Sequence, residues 1–578
     1  MLLMLAGRTV AALQIGPPIW SFDGKVMPCS FNVVSFEVRN AGAQPFDGDL
    51  VVDDGAGLGS RSSAPLKQRI FLAPGTSRWV QFFPYIGSYN SQWRLSWDDG
   101  QGRTVDLGQP GEGPPAVVLL ADPDAPGTRA TRMRLFPENL FPPTVAATDG
   151  LEGVVLDHQP RWDAQRRESF LDWVRRGGIV HLIPGPDGAF PQFSEELAPL
   201  NVPGDRGRVA AGLVVKHRVS GAEITEEWIR NAGFPAGEIR TDGEGQIHDV
   251  DGFALRKLAA VTRPNIAWGL IYFLTVVYVV LIGPVFYFLR KRDYRLMLGA
   301  FLVTVALFAW AFTVIGRRGY GEKQIYHSLA IARPLGGARF AVRQWIHPFA
   351  TSGDIYRFQH AGGSHLYAAL GEGETVRGEI TTGKDAGFAA DIPLFSSRPF
   401  LHAGVMKAED PGVTVSRWEV QDAKPKGDSS ATLLTSLAVA MDSDFRKRVF
   451  TAVLDQGGRY WLLTATADGF EIQPGNFSKS AKDFFSEHHF HDYGGWYGGD
   501  SGDMESVLRN LRELYPFLIS QVNGESAYVR KYLRSNPRPA DQARLFLFAH
   551  APPGFGMKNE SFQAGAGFVL YVVDIFKP

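Results

Sequence analysis

The sequence predicts a multidomain protein of mixed class, α/β plus all-β, with a two-helix transmembrane hairpin in its middle. Three observations predict it. Two long apolar runs without a charge stand side by side near the centre. Short strands of period two, punctuated by glycine and proline, fill much of the remainder. One stretch has the strand–helix–strand grammar of a parallel sheet. The length of 578 residues corresponds to several domains of about 150 residues each. Fifty-nine basic residues against sixty acidic ones leave a net charge of −1, so no global field invites nucleic acid. Cys29 is the single cysteine, which excludes an internal disulfide framework and every CxxC-type zinc or redox site.

Residues 1–13, MLLMLAGRTVAAL, read as the remnant of an export signal, with a first strand as the alternative. Cys29, in VMPCS, lacks the small-residue approach of a lipoprotein site. Residues 14–110 read as an immunoglobulin-like (Ig-like) β-sandwich: Val34, Phe36 and Val38 alternate onto one face, Asn40-Ala41-Gly42 turns, and Trp93, Leu95 and Trp97 alternate again.

Residues 111–255 change grammar and read as a flavodoxin-like α/β domain. Val117 to Ala121, Gly153 to Asp157 and Ile179 to Ile183 are continuous apolar runs of the kind buried on both faces of a parallel sheet. Between the second and third lies a helix from Gln165 to Arg176, closed by Gly177-Gly178.

From Ile266 to Leu289 there are 24 residues without a charge, and from Leu296 to Ile315 there are 20 more. At 1.5 Å per residue, each crosses a hydrocarbon core of about 30 Å. Four basic residues occupy the six-residue link Arg290 to Arg295, which favours the cytoplasmic side for the hairpin tip and places both large flanking regions outside. Trp268, Tyr272, Tyr287, Tyr294 and Trp310 fit interfacial belts. Pro284 predicts a kink in the first helix, and Gly283 a close approach to the second. With no ionisable residue inside either span, the hairpin reads as an anchor and not a pathway. Residues 320–430 follow as a β-rich domain, and 431–578 as a second one of α+β type, with an amphipathic helix over Met504 to Ser520.

This order of parts, with the segments VVLDH, RRESFLDWVRRGGIVHLIPG and LIGPVFYFLRKR, resembles bacterial membrane-anchored proteins that carry an Ig-like sandwich and a degenerate class I glutamine-amidotransferase-like domain. The resemblance covers roughly residues 20–330. It implies an amidotransferase-like fold. Class I amidotransferases use a cysteine nucleophile, and none lies within residues 115–250, so the resemblance implies the fold without that reaction.

Four motifs invite chemistry. Gly378 to Asp385 nearly spells a phosphate-binding loop, but Asp385 stands where a magnesium-binding hydroxyl is needed, and a hairpin turn is the better reading. Gly499-Asp500-Ser501-Gly502 matches a serine-protease nucleophile loop without a recognisable base upstream. His488, His491 and Asp500 form a candidate zinc set, against the reading of HHFHDYGGWYGGD as a binding loop centred on Trp496 and Tyr497. Asp157 and His158, at the end of a buried-type strand, are the candidate ligand site of the α/β domain, although neighbours on a strand point to opposite faces. The expected protein is therefore a multi-pass inner-membrane component of the cell envelope. Its role is a non-catalytic scaffold, without a cofactor, whose partners are the bilayer and other envelope proteins. The alternative is an envelope hydrolase using the α/β domain or the His488–His491 loop.

Overall fold

The alternation of apolar and charged side chains along Val34–Asn40 decides the first layer. Val34, Phe36 and Val38 are fully buried while Glu37 and Arg39 face water. This strand is the middle of a four-stranded antiparallel sheet with Leu13–Ile15, Ile19–Trp20 and Ser77–Phe82. The computed structural model describes residues 13–55, 63–87, 92–98, 102–123, 131–185, 187–233, 250–262, 268–289, 294–320, 323–369, 376–423, 431–473, 478–480, 483–484, 514–523 and 541–578. Over these residues the protein is a strand-rich mixture of helix and sheet, with two apolar helices long enough to cross a membrane.

The second layer is an eight-stranded sheet that crosses the hairpin in sequence. Its order is Arg103–Gly108, Gln92–Trp97, Phe46–Gly55, Leu66–Leu72, Gly378–Thr381, Gly387–Ile392, Asp354–His360 and Met557–Lys558. The seam is a parallel pairing in which Ile380 meets Leu66 and Thr381 meets Lys67. Lys67 also reaches Glu379 across it, at 3.4 Å. One apolar core serves both halves of the chain: Phe36, Leu50, Leu66 and Trp93 from before the hairpin pack with Phe358, Phe388, Ile392 and Phe562 from after it. The near phosphate-binding motif lies here as the turn between Gly378–Thr381 and Gly387–Ile392.

A ten-stranded sheet is centred on Arg339–Ala350, Ile325–Gly336, Gln563–Phe576 and Gln542–His550, so its strands come from both sides of residue 430. The helix Val250–Thr262, which precedes the first apolar helix in sequence, covers one face with Ala254, Leu255, Leu258 and Val261, joined there by the helix Tyr515–Asn523 with Leu518 and Ile519. A smaller sheet containing Thr414–Ala423 and Ala431–Ala440 covers the other face.

The apolar helices stand clear of this body. Gly269–Phe288 has none of its apolar window buried and Tyr294–Ile315 only 6%. A core helix of a soluble protein would be covered, so the exposure of Phe273, Val276, Phe288, Val303 and Trp310 argues for a nonpolar solvent around them. At Pro284 the first helix passes through a π-turn, Leu281–Val285. The missing proline N–H is absorbed there by a local widening of the helix. Gly283 does not make the expected close approach, since nothing lies within 4 Å of where a Cβ would stand. The hairpin is instead joined by rings, Tyr278 on Phe308 and Phe286 on Phe301, with centroids 5.0 and 5.9 Å apart.

Candidate functional site

The continuous apolar strands of residues 116–182 form a parallel sheet in the order Leu135–Pro137, Ala116–Ala121, Leu151–Leu156, Ile179–Leu182 and Gly212–Lys216, with Arg206–Val209 antiparallel at the edge. From Ala116–Ala121 the chain passes to one neighbour, Leu135–Pro137, and then returns to the other, Leu151–Leu156. The crevice above the strand ends at such a reversal is where open α/β sheets place ligands.

Four titratable side chains converge on that crevice, each just beyond the carboxyl end of a strand. They are Asp122, Glu138, Asp157 and His158. The strand ends at Leu156, so Asp157 and His158 lie on a bend and do not alternate across a pleat. The expectation that they point apart is thus corrected: Nδ1 of His158 lies 2.6 Å from Oδ1 of Asp157. Its Nε2 lies 2.8 Å from Oε2 of Glu138, whose Oε1 accepts the Arg161 N–H and whose backbone carbonyl accepts Nε1–H of Trp162. Arg161 also reaches Asp122, at 3.5 Å. Glu138, which closes the cluster, was not among the sequence candidates, because it comes from another strand twenty residues earlier.

The arrangement limits the chemistry. A general base needs a nitrogen lone pair directed at substrate, and a nucleophile within reach of it. Both ring nitrogens of His158 are held by carboxylates, and its side chain is only 19% exposed. No sulfur nucleophile is near, the single thiol being Cys29 in the sandwich. Among the described residues no group of three His, Cys, Asp or Glu side chains is arranged to hold a metal ion. His488, His491, Asp500, Trp496 and Tyr497 lie outside the described residues.

Two other histidine groups are buried or half-buried. His181 and His217 stack on the parallel sheet, Nδ1 to Nε2 at 2.9 Å, and burial, aided by the neighbouring His217, pushes His181 down to about 3. In the large sheets His360 stacks on His402 with centroids 3.6 Å apart, and burial pushes His360 down to about 3 and His402 well below its usual value. Nδ1 of His402 lies 3.0 Å from Gln344 Oε1 and its Nε2 lies 3.0 Å from Nδ1 of His365, whose Nε2 faces the Ala361 carbonyl at 3.2 Å. His360 meets the Tyr367 hydroxyl at 2.9 Å. Such a network orders a core; it presents nothing to solvent.

No family model matches the chain, and no curated protein matches it. Among solved structures, one match is a cycloisomaltooligosaccharide glucanotransferase from Paenibacillus sp. complexed with cycloisomaltoheptaose. It is 9% identical, covers 67% of this chain and 70% of that one, and has a TM-score of 0.15. A likeness so slight carries no argument about fold or activity.

Proposed function

We propose that this chain is a membrane-anchored envelope protein acting as a non-catalytic scaffold, a protein-binding component of a membrane complex. The observation that carries the reading is the seam between Leu66–Leu72 and Gly378–Thr381, which supports placing both large regions on one side of the membrane as one body above a helical hairpin. The basic link Arg290 to Arg295 supports the extracytoplasmic side. In this reading residues 14–110 supply an Ig-like sandwich, although its second sheet is completed by strands from after the hairpin. The strand order of residues 116–216 is that of a flavodoxin-like sheet with an added edge strand, and supports an amidotransferase-like fold used without its reaction.

Three measurements test the proposal. Single cysteines at Ser77 and Lys384, with Cys29→Ser, are exposed to a membrane-impermeant maleimide in intact and permeabilised cells. Labelling of both in intact cells is the expected result; labelling of both only after permeabilisation overturns the sidedness, and a split result overturns the shared body. The protein solubilised in mild detergent is expected to migrate as an assembly well above its own 63.5 kDa plus detergent; a lone chain overturns the scaffold role. Ester, peptide or glycoside hydrolysis abolished by His158→Ala would establish the hydrolase instead.

A further inference from the structure

Large apolar side chains are exposed singly at many points of the body, and a lone one carries no message. One group is different. Ile355 is 71% exposed, Leu394 60% and Phe395 39%, and all three sit at one end of the eight-stranded sheet. Ile355 is level with Asp391, and a Cβ on Gly353 would stand 3.2 Å from the backbone nitrogen of Leu394, so the turns at 351–353 and 393–395 touch. Phe395 is held in the left-handed region, at φ 52°, an uncommon and strained conformation for an aromatic residue.

The same end is tied to the membrane helix. Gln324 donates to Ser352 Oγ at 2.8 Å and to the Tyr356 hydroxyl at 3.0 Å. It follows the last residue of the helix Tyr294–Tyr320 by four positions, a reach of no more than about 14 Å. At 1.5 Å per residue that 27-residue helix rises about 40 Å, roughly 10 Å more than a hydrocarbon core, and its apolar window ends at Ile315. The residues after Ile315 therefore stand at headgroup level, and Gln324 ties the Ile355–Leu394 end within reach of them. Two bases flank it, Lys323 on the connecting chain and Arg357, which shares the face of Ile355 on its strand. Two carboxylates stand here: Asp354 is turned back onto the Ile355 N–H at 2.7 Å, and Asp391, across the strand pair from Ile355, is half-buried.

We propose that Ile355, Leu394 and Phe395 form a second membrane contact, inserted into the headgroup–acyl boundary of the leaflet from which the helix Tyr294–Tyr320 emerges. The hairpin alone anchors the body at one place. A lipid-inserted edge fixes its tilt, with the strands of the eight-stranded sheet rising from the surface. This inference rests on the membrane-anchored reading above, and apolar burial of about 5–10 Å into the interface is the depth such tips reach.

The test uses full-length protein with Cys29→Ser in phosphatidylcholine–phosphatidylglycerol vesicles. An environment-sensitive fluorophore is attached at Ile355→Cys, Leu394→Cys or, as control, Phe71→Cys. Phe71 is equally exposed, 60%, but the ladder through Phe358, Phe388, Ile380 and Leu66 sets it eight residues from the level of Ile355, roughly 25 Å away along the strands. Blue-shifted emission, quenched by lipids carrying a nitroxide near the headgroup, is expected at 355 and 394 and not at 71. Water-like emission at 355 and 394 in vesicles whose protein resists carbonate extraction overturns the second contact alone. A blue shift without lipid quenching means that protein covers the patch, and also overturns it. Release by carbonate overturns the anchored reading itself.

Discussion

The parallel sheet and the two large mixed sheets are built in opposite ways. The parallel sheet takes all six strands from residues 116–216, and each connection brings the chain back within about thirty residues. The eight-stranded sheet takes four strands from residues 46–108 and four from 354–558, with both apolar helices between them. A sheet of the first kind is specified by local apolar runs and caps. A sheet of the second kind needs interactions that hold distant segments in register, and these are charged or polar groups buried where three segments meet.

The clearest such junction is Asp251, on the helix Val250–Thr262. Its carboxylate takes Nε1–H of Trp345 at 2.7 Å, the Arg343 guanidinium at 3.1 Å and a hydrogen bond from the Tyr85 hydroxyl. Burial holds the Tyr85 phenol well above its usual 10, so it remains a donor. Asp251→Ala leaves the Arg343 charge without its partner and is expected to cost about 3–5 kcal/mol. Urea unfolding of the full chain in detergent measures it. An unchanged midpoint would mean that the apolar cores alone hold the two halves together.

The second effect is set by pH and is shared by both regions. His327, His360, His365 and His402 in the large sheets, and His181 and His217 on the parallel sheet, are all pushed below the ordinary 6.5, chiefly by burial. The unfolded chain then binds more protons than the folded one, so their contribution is complete above pH 6.5 and is lost as pH falls towards 3. The urea midpoint is expected to decline steadily over that window, and less steeply in His360→Asn than in the parent. A midpoint flat from pH 7 to 5 would show these rings to be open to solvent protons in the native state.

How much of this was legible follows the same division. Val34, Phe36 and Val38 announced their shared face, and Gln165 to Arg176 with its Gly177-Gly178 stop announced a helix, because period and caps are local signals. Asp157 and His158 were visible as candidates, but Glu138 was not, since its place above the neighbouring strand depends on strand order. The pairing of Leu66 with Ile380 left no trace at all: both segments are ordinary amphipathic strands, and nothing in either names its partner. The boundary drawn at residue 430 shows the same blindness, because strands before and after it share the ten-stranded sheet.

A third, smaller effect tests the local half of the comparison. Asp163 caps the helix Ala164–Arg175, its side chain accepting the Arg166 N–H at 2.8 Å. Removing one such cap costs about 1 kcal/mol. Asp163→Ala should lower the urea midpoint by a fraction of the Asp251→Ala shift, and Asp163→Asn should restore most of it. Equal losses in the two alanine variants would erase the distinction between locally and remotely specified sheets.

The smallest expected effect belongs to the hairpin, where a local signal was present and its reading failed. Glycine beside proline in an apolar helix suggested a notch for the neighbouring helix. With nothing within 4 Å of its absent Cβ, Gly283 fills no notch; it lies in the π-turn that accommodates Pro284. Gly283→Ala should therefore leave the hairpin intact, with any change within the roughly 1 kcal/mol by which alanine exceeds glycine as a helix former. Phe308→Ala, which removes the ring against Tyr278, should loosen it more. Crosslinking between single cysteines introduced at Phe286 and Phe301, in native membranes and with Cys29→Ser, reads the distance between the helices directly. A crosslink retained in Gly283→Ala and weakened in Phe308→Ala assigns the packing to the rings. The reverse pattern would return it to glycine, and a small residue in an apolar run would then be as good a guide to helix contact in this chain as period two was to its strands.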